Sequence, residues 1–185
     1  MEEQTILTTG HIFIATSLDG FIARSDGNLN WLMKHQTPDE DHGYGELMDS
    51  VDGIVMGRGT FETVLAFDQW PYPKPLVVVS HTLKNSDIPH HLADRVSISA
   101  QEPDELMQSL AVDGWQHAYV DGGKVIQSFL RAGLIADMVV TRVPVLLGEG
   151  LPLFGALDHD IDLNHLETTA FASGLVSSKY EVIQP

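Results

Sequence analysis

The sequence predicts one α/β domain built on a single, largely parallel sheet with helices on its faces. Three observations predict it. Short β-type apolar runs alternate with helical stretches along the chain, and no linker, repeat or low-complexity block interrupts them. Runs such as Leu76-Val77-Val78-Val79 are apolar at every position, as strands buried on both faces are. A chain of 185 residues, 43% of them hydrophobic, is also long enough for one core that buries roughly 70% of the unfolded surface.

The elements follow in order. His11 to Thr16 reads as a first buried strand, and Asp19-Gly20 as a turn before the short apolar run Phe21-Ile22-Ala23. Pro38 to Ser50 has a helical pattern with Asp39, Glu40 and Asp41 at its front, where the helix dipole favours negative charge. Ile54 to Met56 is a second strand, followed by a short helix over Phe61 to Phe67. Three prolines in Trp70 to Pro75 remove amide donors and fix φ, which excludes regular structure. Leu76 to Val79 and Val96 to Ile98 are strands, and Pro103 to Val112 is a helix with proline in its first turn. His117 to Val120 is a strand, and Lys124 to Ala132 a helix that ends at Gly133, a left-handed cap position. Met138 to Val143 is a further strand. Two late runs, His165 to Ala172 and Val176 to Ile183, flank Ser173-Gly174 as a closing hairpin. The total is seven or eight strands in one sheet.

Composition excludes several classes of function. Ten basic residues against 26 acidic ones give a net charge of −16, and the basic residues are scattered singly. Such a chain repels nucleic acid and anionic membrane. The absence of cysteine removes disulfides, thiol nucleophiles and thiolate metal sites. No apolar run approaches the ~20 residues of a membrane helix, and Met1-Glu2-Glu3-Gln4 is unlike the basic start of a secretory signal. The expectation is a soluble, cytoplasmic protein that acts on a small molecule.

Two segments carry the chemistry: Val55-Met56-Gly57-Arg58-Gly59-Thr60 and Tyr119-Val120-Asp121-Gly122-Gly123-Lys124. Each places glycines and a cation where a buried strand ends and a helix begins. Free amides at a helix N-terminus bind anions, and glycine lets the backbone approach a phosphate closely. Two such junctions suit a ligand with two separated phosphate groups, such as a dinucleotide. Neither is a G-x-G-x-x-G or a Walker loop. A site for NAD would place an acid about 20 positions after the glycines. Here, 21 positions after Gly59, the end of the next strand carries Ser80-His81, and these donors together with Arg58 suit a 2′-phosphate. NADPH is therefore expected rather than NADH.

Four motifs in this order resemble the dihydrofolate reductase superfamily: Thr16 to Ala23, Met56 to Glu62, Asp121-Gly122-Gly123 and Leu147 to Phe154. The nearer branch is bacterial and archaeal, and includes the reductase domain of riboflavin biosynthesis. The resemblance runs from about His11 to Ile183. It implies a three-layer fold with a central, mostly parallel eight-stranded sheet, helices on both sides, a C-terminal β-hairpin, and NADPH across the strands' carboxyl ends. It also implies roles for particular residues. Gly57, Arg58, Gly59 and Thr60 would hold the pyrophosphate side, and Val79, Ser80 and His81 would lie by the adenosine 2′-phosphate. Gly122, Gly123, Lys124, Val125 and Ile126 would line the second phosphate and the nicotinamide side. The Ala15 backbone would meet the carboxamide, covered by the loop from Asp19 to Ile22. Relatives on this branch pair through sheet edges or late strands, which implies a homodimer. One departure stands out: dihydrofolate reductase has three successive glycines where this chain has Asp121 first. That acid must face away, cap the helix or accept from a neighbour.

On the substrate side the reductases of this superfamily hold a heterocycle with one buried carboxylate. Asp41, 16 residues before Gly57, matches that acid by spacing, and Thr141 matches the threonine that supports it. Asp41 is equally placed to stabilise the start of a helix. Trp31 is a candidate aromatic wall for a flat substrate, or else a core or lid residue. Asp19 reads as turn chemistry, and the acidic stretch Asp158 to His165 as a solvated loop, since Leu163 stands where a calcium loop needs glycine. The resulting expectation is an NADPH-dependent reductase of a small heterocyclic or carbonyl substrate, with water as the proton source. A riboflavin-pathway ribosylamino-pyrimidine reductase and a non-catalytic NADP-binding protein are the alternatives. The phosphate of the pathway substrate would need a basic contact, with Arg24, Lys34 and Arg142 the options.

Overall fold

The structure is a computed structural model and describes residues 7–35, 37 and 39–184. Strands β1 (Thr9–Ser17) and β2 (Phe21–Ala23) come first, then helices α1 (Asn30–Met33) and α2 (Tyr44–Ser50). β3 (Gly53–Gly57) runs straight into α3 (Arg58–Leu65), followed by β4 (Leu76–Val79) and β5 (Val96–Ser99). α4 (Pro103–Val112), β6 (His117–Asp121), α5 (Gly123–Arg131) and β7 (Ile135–Val143) complete the parallel part. β8 (Leu151–Pro152), β9 (Leu163–Ala170) and β10 (Val176–Val182) close the chain.

Eight strands form one sheet in the order β5-β4-β3-β6-β1-β7-β10-β9. All neighbours from β5 to β7 are parallel, and β10 is antiparallel to both β7 and β9. Alternation along the strands sends successive side chains to opposite faces. Ile12, Val55, Val77 and Val120 meet Met107 of α4 and Phe129 of α5 on one side. Ile54, Met56, Val78 and Tyr119 meet Met48 of α2 and Phe61 of α3 on the other. Fully apolar strand runs are thus explained by helices on both faces. Parallel pairing leaves no room for short connections, and α3, α4 and α5 supply the crossovers.

Three expectations about elements need correction. The helix expected over Pro38 to Ser50 begins at Tyr44, and Pro38 itself lies outside the described residues. Gly43, at φ +96°, cannot continue a helix upstream, and the Asp41 carboxylate accepts from the amides of Gly43 (3.1 Å) and Tyr44 (3.0 Å) at the helix entrance. The helix expected from Phe61 starts at Arg58, because extended Gly57 acts as its N-cap with no intervening loop. The short helix α1 and the two-residue strand β8, which pairs with β2, carry no periodic signal and were not expected. The closing hairpin turns through residues 171–175, where the amide of Phe171 donates to the Leu175 carbonyl (2.9 Å) and Gly174 sits at φ +88°.

The two halves of the α2 side are covered differently. α2 and α3 cover β3, β4 and β6. Over β1, β7, β10 and β9 the same face opens into a cavity of about 490 Å³.

Candidate functional site

The carboxyl ends of β1 and β6 diverge. They pair only over Thr9–His11 of β1, whereas β1 and β7 stay paired to Ser17. The Tyr119 hydroxyl spans the opening and donates to the Phe13 carbonyl (2.9 Å). A crevice at strand carboxyl ends, where strand order reverses, is where open α/β sheets bind ligands.

Both glycine junctions stand on this edge, and β3 and β6 are neighbours, with Met56 opposite Asp121. The two corners therefore touch. A Cβ on Gly122 would collide with the Thr60 hydroxyl and come within 3.8 Å of the Gly57 amide nitrogen, and Gly122 is held at φ +90°. The expected pair of separated anion sites is instead one cradle made by the N-termini of α3 and α5. Gly59 faces open space, so the first amides of α3 are approachable. The first three amides of each helix have no partner inside the helix. Adjacent amide sets, no Cβ in the way and the two cations Arg58 and Lys124 fit a pyrophosphate. Val125 and Ile126 are packed in the core beneath α5, and the Ile126 amide donates to the Gly122 carbonyl (2.8 Å). The fully buried Ile126 side chain has no surface to offer a ligand, which corrects that part of the expectation, whereas Val125 Cγ2 stands beside Gly57 at the cradle.

Beside the cradle, β4 ends at Val79 next to Gly57, and Ser80 and His81 follow. Arg58 donates Nε to Glu62 (2.6 Å) and Nη1 to the Thr82 hydroxyl (3.0 Å). The buried Ser80 hydroxyl accepts from the amides of Thr82 (3.2 Å) and Leu83 (3.1 Å). Arg58, Thr82, Ser80 and exposed His81 form a cluster of donors at this end of the edge. Thr82 escaped the sequence reading because nothing in its local pattern links it to Arg58.

At the other end, Ala15 lies opposite Thr141 on β7, and a Cβ on Gly123 would meet Ile22 Cδ1 at 3.1 Å and the Pro152 carbonyl at 2.8 Å. Ile22 and β8 thus close over the start of α5. Asp19 does more than turn chemistry. Its carboxylate accepts from the Ser17 hydroxyl (2.6 Å) and from the amides of Leu147 (3.1 Å) and Gly148 (2.8 Å), lashing the β1–β2 loop to the loop after β7. The Ser17 hydroxyl and these amides hold its pKa down to about 2, so it stays ionised.

Asp121 resolves the departure from three glycines. It accepts from the Gly122 amide (2.8 Å), and Tyr72 donates to its other oxygen at 3.4 Å. Tyr44 and Tyr119 also surround it. Burial pushes its pKa up to about 6 against the pull of the Gly122 amide and the tyrosine hydroxyls. The same carboxylate and their own burial raise the pKa of Tyr44, Tyr72 and Tyr119. A titrating acid therefore stands at the carboxyl edge, between the glycine cradle and Phe13.

The 490 Å³ cavity begins on the far side of Phe13. Its walls include Phe13, Val139, Leu47 and Phe171, with Asp41, His42 and Gly43 at one end. At the other end, His11 Nδ1 donates to Asp137 (3.0 Å), and His11 Nε2 lies 3.0 Å from His117 Nδ1. Glu40 accepts from the amide (3.2 Å) and hydroxyl (2.6 Å) of Ser173, which ties the α2 entrance to the hairpin turn above the cavity. Of the three expected substrate-side residues only Asp41 lines this space, with one oxygen committed to capping α2. Thr141 is buried and bonds Ser177 (2.5 Å) instead of supporting Asp41. Trp31 is 1% exposed and packs with Val143 and Leu175, so it is a core residue and not a wall of this cavity. The sequence reading missed His11, His117, Asp137 and Lys179. They alternate with core residues on strands, and only their assembly on one sheet face reveals them.

The profile of the RibD C-terminal domain matches residues 9–177. The chain belongs to the RibD C-terminal domain family. A crystal structure from Shewanella sp. PV-4, described as a candidate riboflavin biosynthesis protein, is 40% identical. It superposes with a TM-score of 0.90 over 96% of this chain and 100% of its own. The Bacillus subtilis protein YwjB is 28% identical over 95% of this chain and 96% of its own length. Dihydrofolate reductase from Enterococcus faecalis, solved with NADP(H), is 17% identical and has a TM-score of 0.62 over 95% of this chain and 97% of its own. The last likeness shows the fold, and the fold expected from the four motifs is the one observed. This RibD-type domain is thus homologous to the reductases of riboflavin biosynthesis. Among its described residues, no helix is long and apolar enough to cross a membrane.

Proposed function

We propose that this RibD-type domain is an NADPH-dependent reductase of a small heterocyclic or carbonyl acceptor. The observation that carries the reading is the double glycine cradle at the strands' carboxyl ends, with the cavity beyond Phe13 on the same sheet. The amides opening α3 and α5 would hold the pyrophosphate, with Arg58, Thr82, Ser80 and His81 at the 2′-phosphate. Ile22 and the Asp19-tied loops would cover the nicotinamide against Ala15. When bound, NADPH supplies a hydride for the carbon of a C=N or C=O bond, and the heteroatom takes up a proton. Water would supply that proton, since Asp121, which titrates near 6, does not line the cavity and stands on the other side of Phe13. Phe13 and Leu47 would exclude bulk water from the ring that is reduced.

Calorimetry with NADPH and NADH, followed by an oxidation screen at 340 nm, tests the reading. Tight binding of NADPH over NADH with turnover of a heterocyclic or carbonyl acceptor is the expected result. Binding without turnover across pterins, pyrimidines and carbonyl compounds would leave a nucleotide-binding module. No binding at all would overturn the assignment of the edge.

A further inference from the structure

The cavity behind Phe13 carries a charge balance that bears on which acceptor enters it. Asp41, Glu46, Asp137 and Glu167 contribute four carboxylates. Lys179 is the one lysine or arginine among the described lining residues. It stands opposite Glu167 across the β10–β9 pair. Residues outside the described part include no lysine or arginine at all. The cations that could have met a phosphate are placed elsewhere. Arg24 donates to Asn30 at the start of α1, Lys34 is exposed just after α1 and does not line the cavity, and Arg142 alternates to the sheet face away from Thr141. Among its aspartate, glutamate, lysine and arginine side chains the lining has three more carboxylates than cations.

The polar groups are arranged at the ends, not along the middle. Between them Phe13 and Val139 on the sheet and Leu47 on α2 give apolar walls. At the upper end Asp41 keeps one oxygen beyond its cap contacts. There too, both ring nitrogens of His42 are buried with no hydrogen-bond partner among the described residues. Glu40 is 3.7 Å from His42 Nε2, beyond hydrogen-bond reach. The His42 side chain keeps 19% of its surface exposed, and its unpartnered ring nitrogens are placed to take up a polar ligand group. At the lower end, His11 Nδ1 donates to Asp137 and His11 Nε2 lies 3.0 Å from His117 Nδ1, which leaves His117 Nε2 to face a ligand.

We infer that the acceptor is a flat heterocycle bearing amino or hydroxyl donors and no phosphate, seated in this cavity between Asp41–His42 and His11–His117. The inference rests on the reductase reading and narrows it. A phosphate dianion would enter a space with excess negative charge, one lysine and no guanidinium fork. Amino and hydroxyl donors instead find carboxylate and imidazole acceptors at both ends. The family resemblance by itself suggests a phosphorylated pyrimidine, and the lining of this chain argues for a different choice.

A matched pair of ligands tests it. A ribosylamino-pyrimidine nucleoside, its 5′-phosphate and a dihydropterin are titrated into the full chain saturated with NADP⁺, by calorimetry and thermal protection. Turnover with NADPH is measured in parallel. At least one phosphate-free compound should bind and be reduced, and the 5′-phosphate should bind at least tenfold more weakly than its nucleoside at low salt. The double variant Glu46→Gln/Glu167→Gln, at two exposed positions, should narrow that difference at least threefold. Equal or tighter binding of the phosphate, binding of neither phosphate-free compound, or a difference unmoved by the double variant would each overturn the inference. Heat from NADPH alone reports on the reductase reading separately, so failure of the cofactor edge is distinguishable from failure of the acceptor assignment.

Discussion

Arg58 is a side chain whose position the fold itself fixes. Its guanidinium is already held by Glu62 and Thr82, so it is pre-positioned at the β4 end of the edge instead of being free in solution. Arg58→Ala should weaken NADPH by about 1.5–3 kcal/mol, the range for hydrogen bonds to a charged group, and barely change NADH. Calorimetry with both nucleotides checks it; equal losses would remove Arg58 from the 2′-phosphate. Asp121 makes a second residue-scale prediction. Its pKa rises on folding from 3.8 to about 6, so between those values the folded chain binds the proton more tightly than the unfolded one. Stability therefore falls as pH rises from about 4 through 6. Asp121→Asn, which cannot ionise, should gain about 1–3 kcal/mol over the parent at pH 8 and nothing at pH 4, read from urea midpoints. The glycines and Arg58 were legible because local spacing sets them at a strand–helix corner. Thr82, His11 and Asp137 were not, because their partners come from 24 to 126 positions away.

At the scale of elements, helix starts and loop ties position the edge. Gly122 combines a positive φ with the Thr60 hydroxyl where a Cβ would go. Gly122→Ala should destabilise the fold by roughly 1–3 kcal/mol and loosen nucleotide binding, since α3 and α5 must separate to admit the methyl group. Gly59→Ala, which meets open space inside α3, should leave the stability unchanged or raise it by up to about 1 kcal/mol. Comparing the two by denaturation and by NADPH affinity separates packing from ligand approach. Asp19 acts between loops. Asp19→Ala should raise hydrogen exchange at Leu147 and Gly148 while exchange in β6 is unchanged, and unaltered exchange at both amides would show the tie to be dispensable. The misplaced start of α2 has the same lesson. Three acids in a row read as a helix front, yet the Asp41 side chain satisfies the entrance amides from outside the helix, and Gly43 sets the boundary.

For the whole molecule, charge opposes the proposed cofactor. A net charge of −16 repels a polyanionic nucleotide at long range, while the contacts at Arg58, Lys124 and the helix amides act within a few ångströms. Raising ionic strength from 10 to 150 mM shortens the screening length from about 30 Å to about 8 Å. Long-range repulsion is then screened more than short contacts are, so the association rate for NADPH should rise by roughly two- to tenfold across that range, read by stopped-flow fluorescence. A falling rate would mean that a local positive field dominates the approach.

The order of the strands and helices other than α1 and β8, the two glycine corners and the acidic, cysteine-free character follow from the sequence alone. Each depends on periodicity, backbone freedom or composition, which neighbouring residues carry. The folded chain decided what depends on strand order. It set β3 beside β6, so the two corners became one cradle. It placed β10 between β7 and β9, so Lys179 and Glu167 share a wall with His11 and Asp137. Trp31 went into the core, and Thr141 to Ser177 instead of Asp41. Side-chain partnerships across a sheet depend on register between distant segments, and no local pattern along the chain encodes that register.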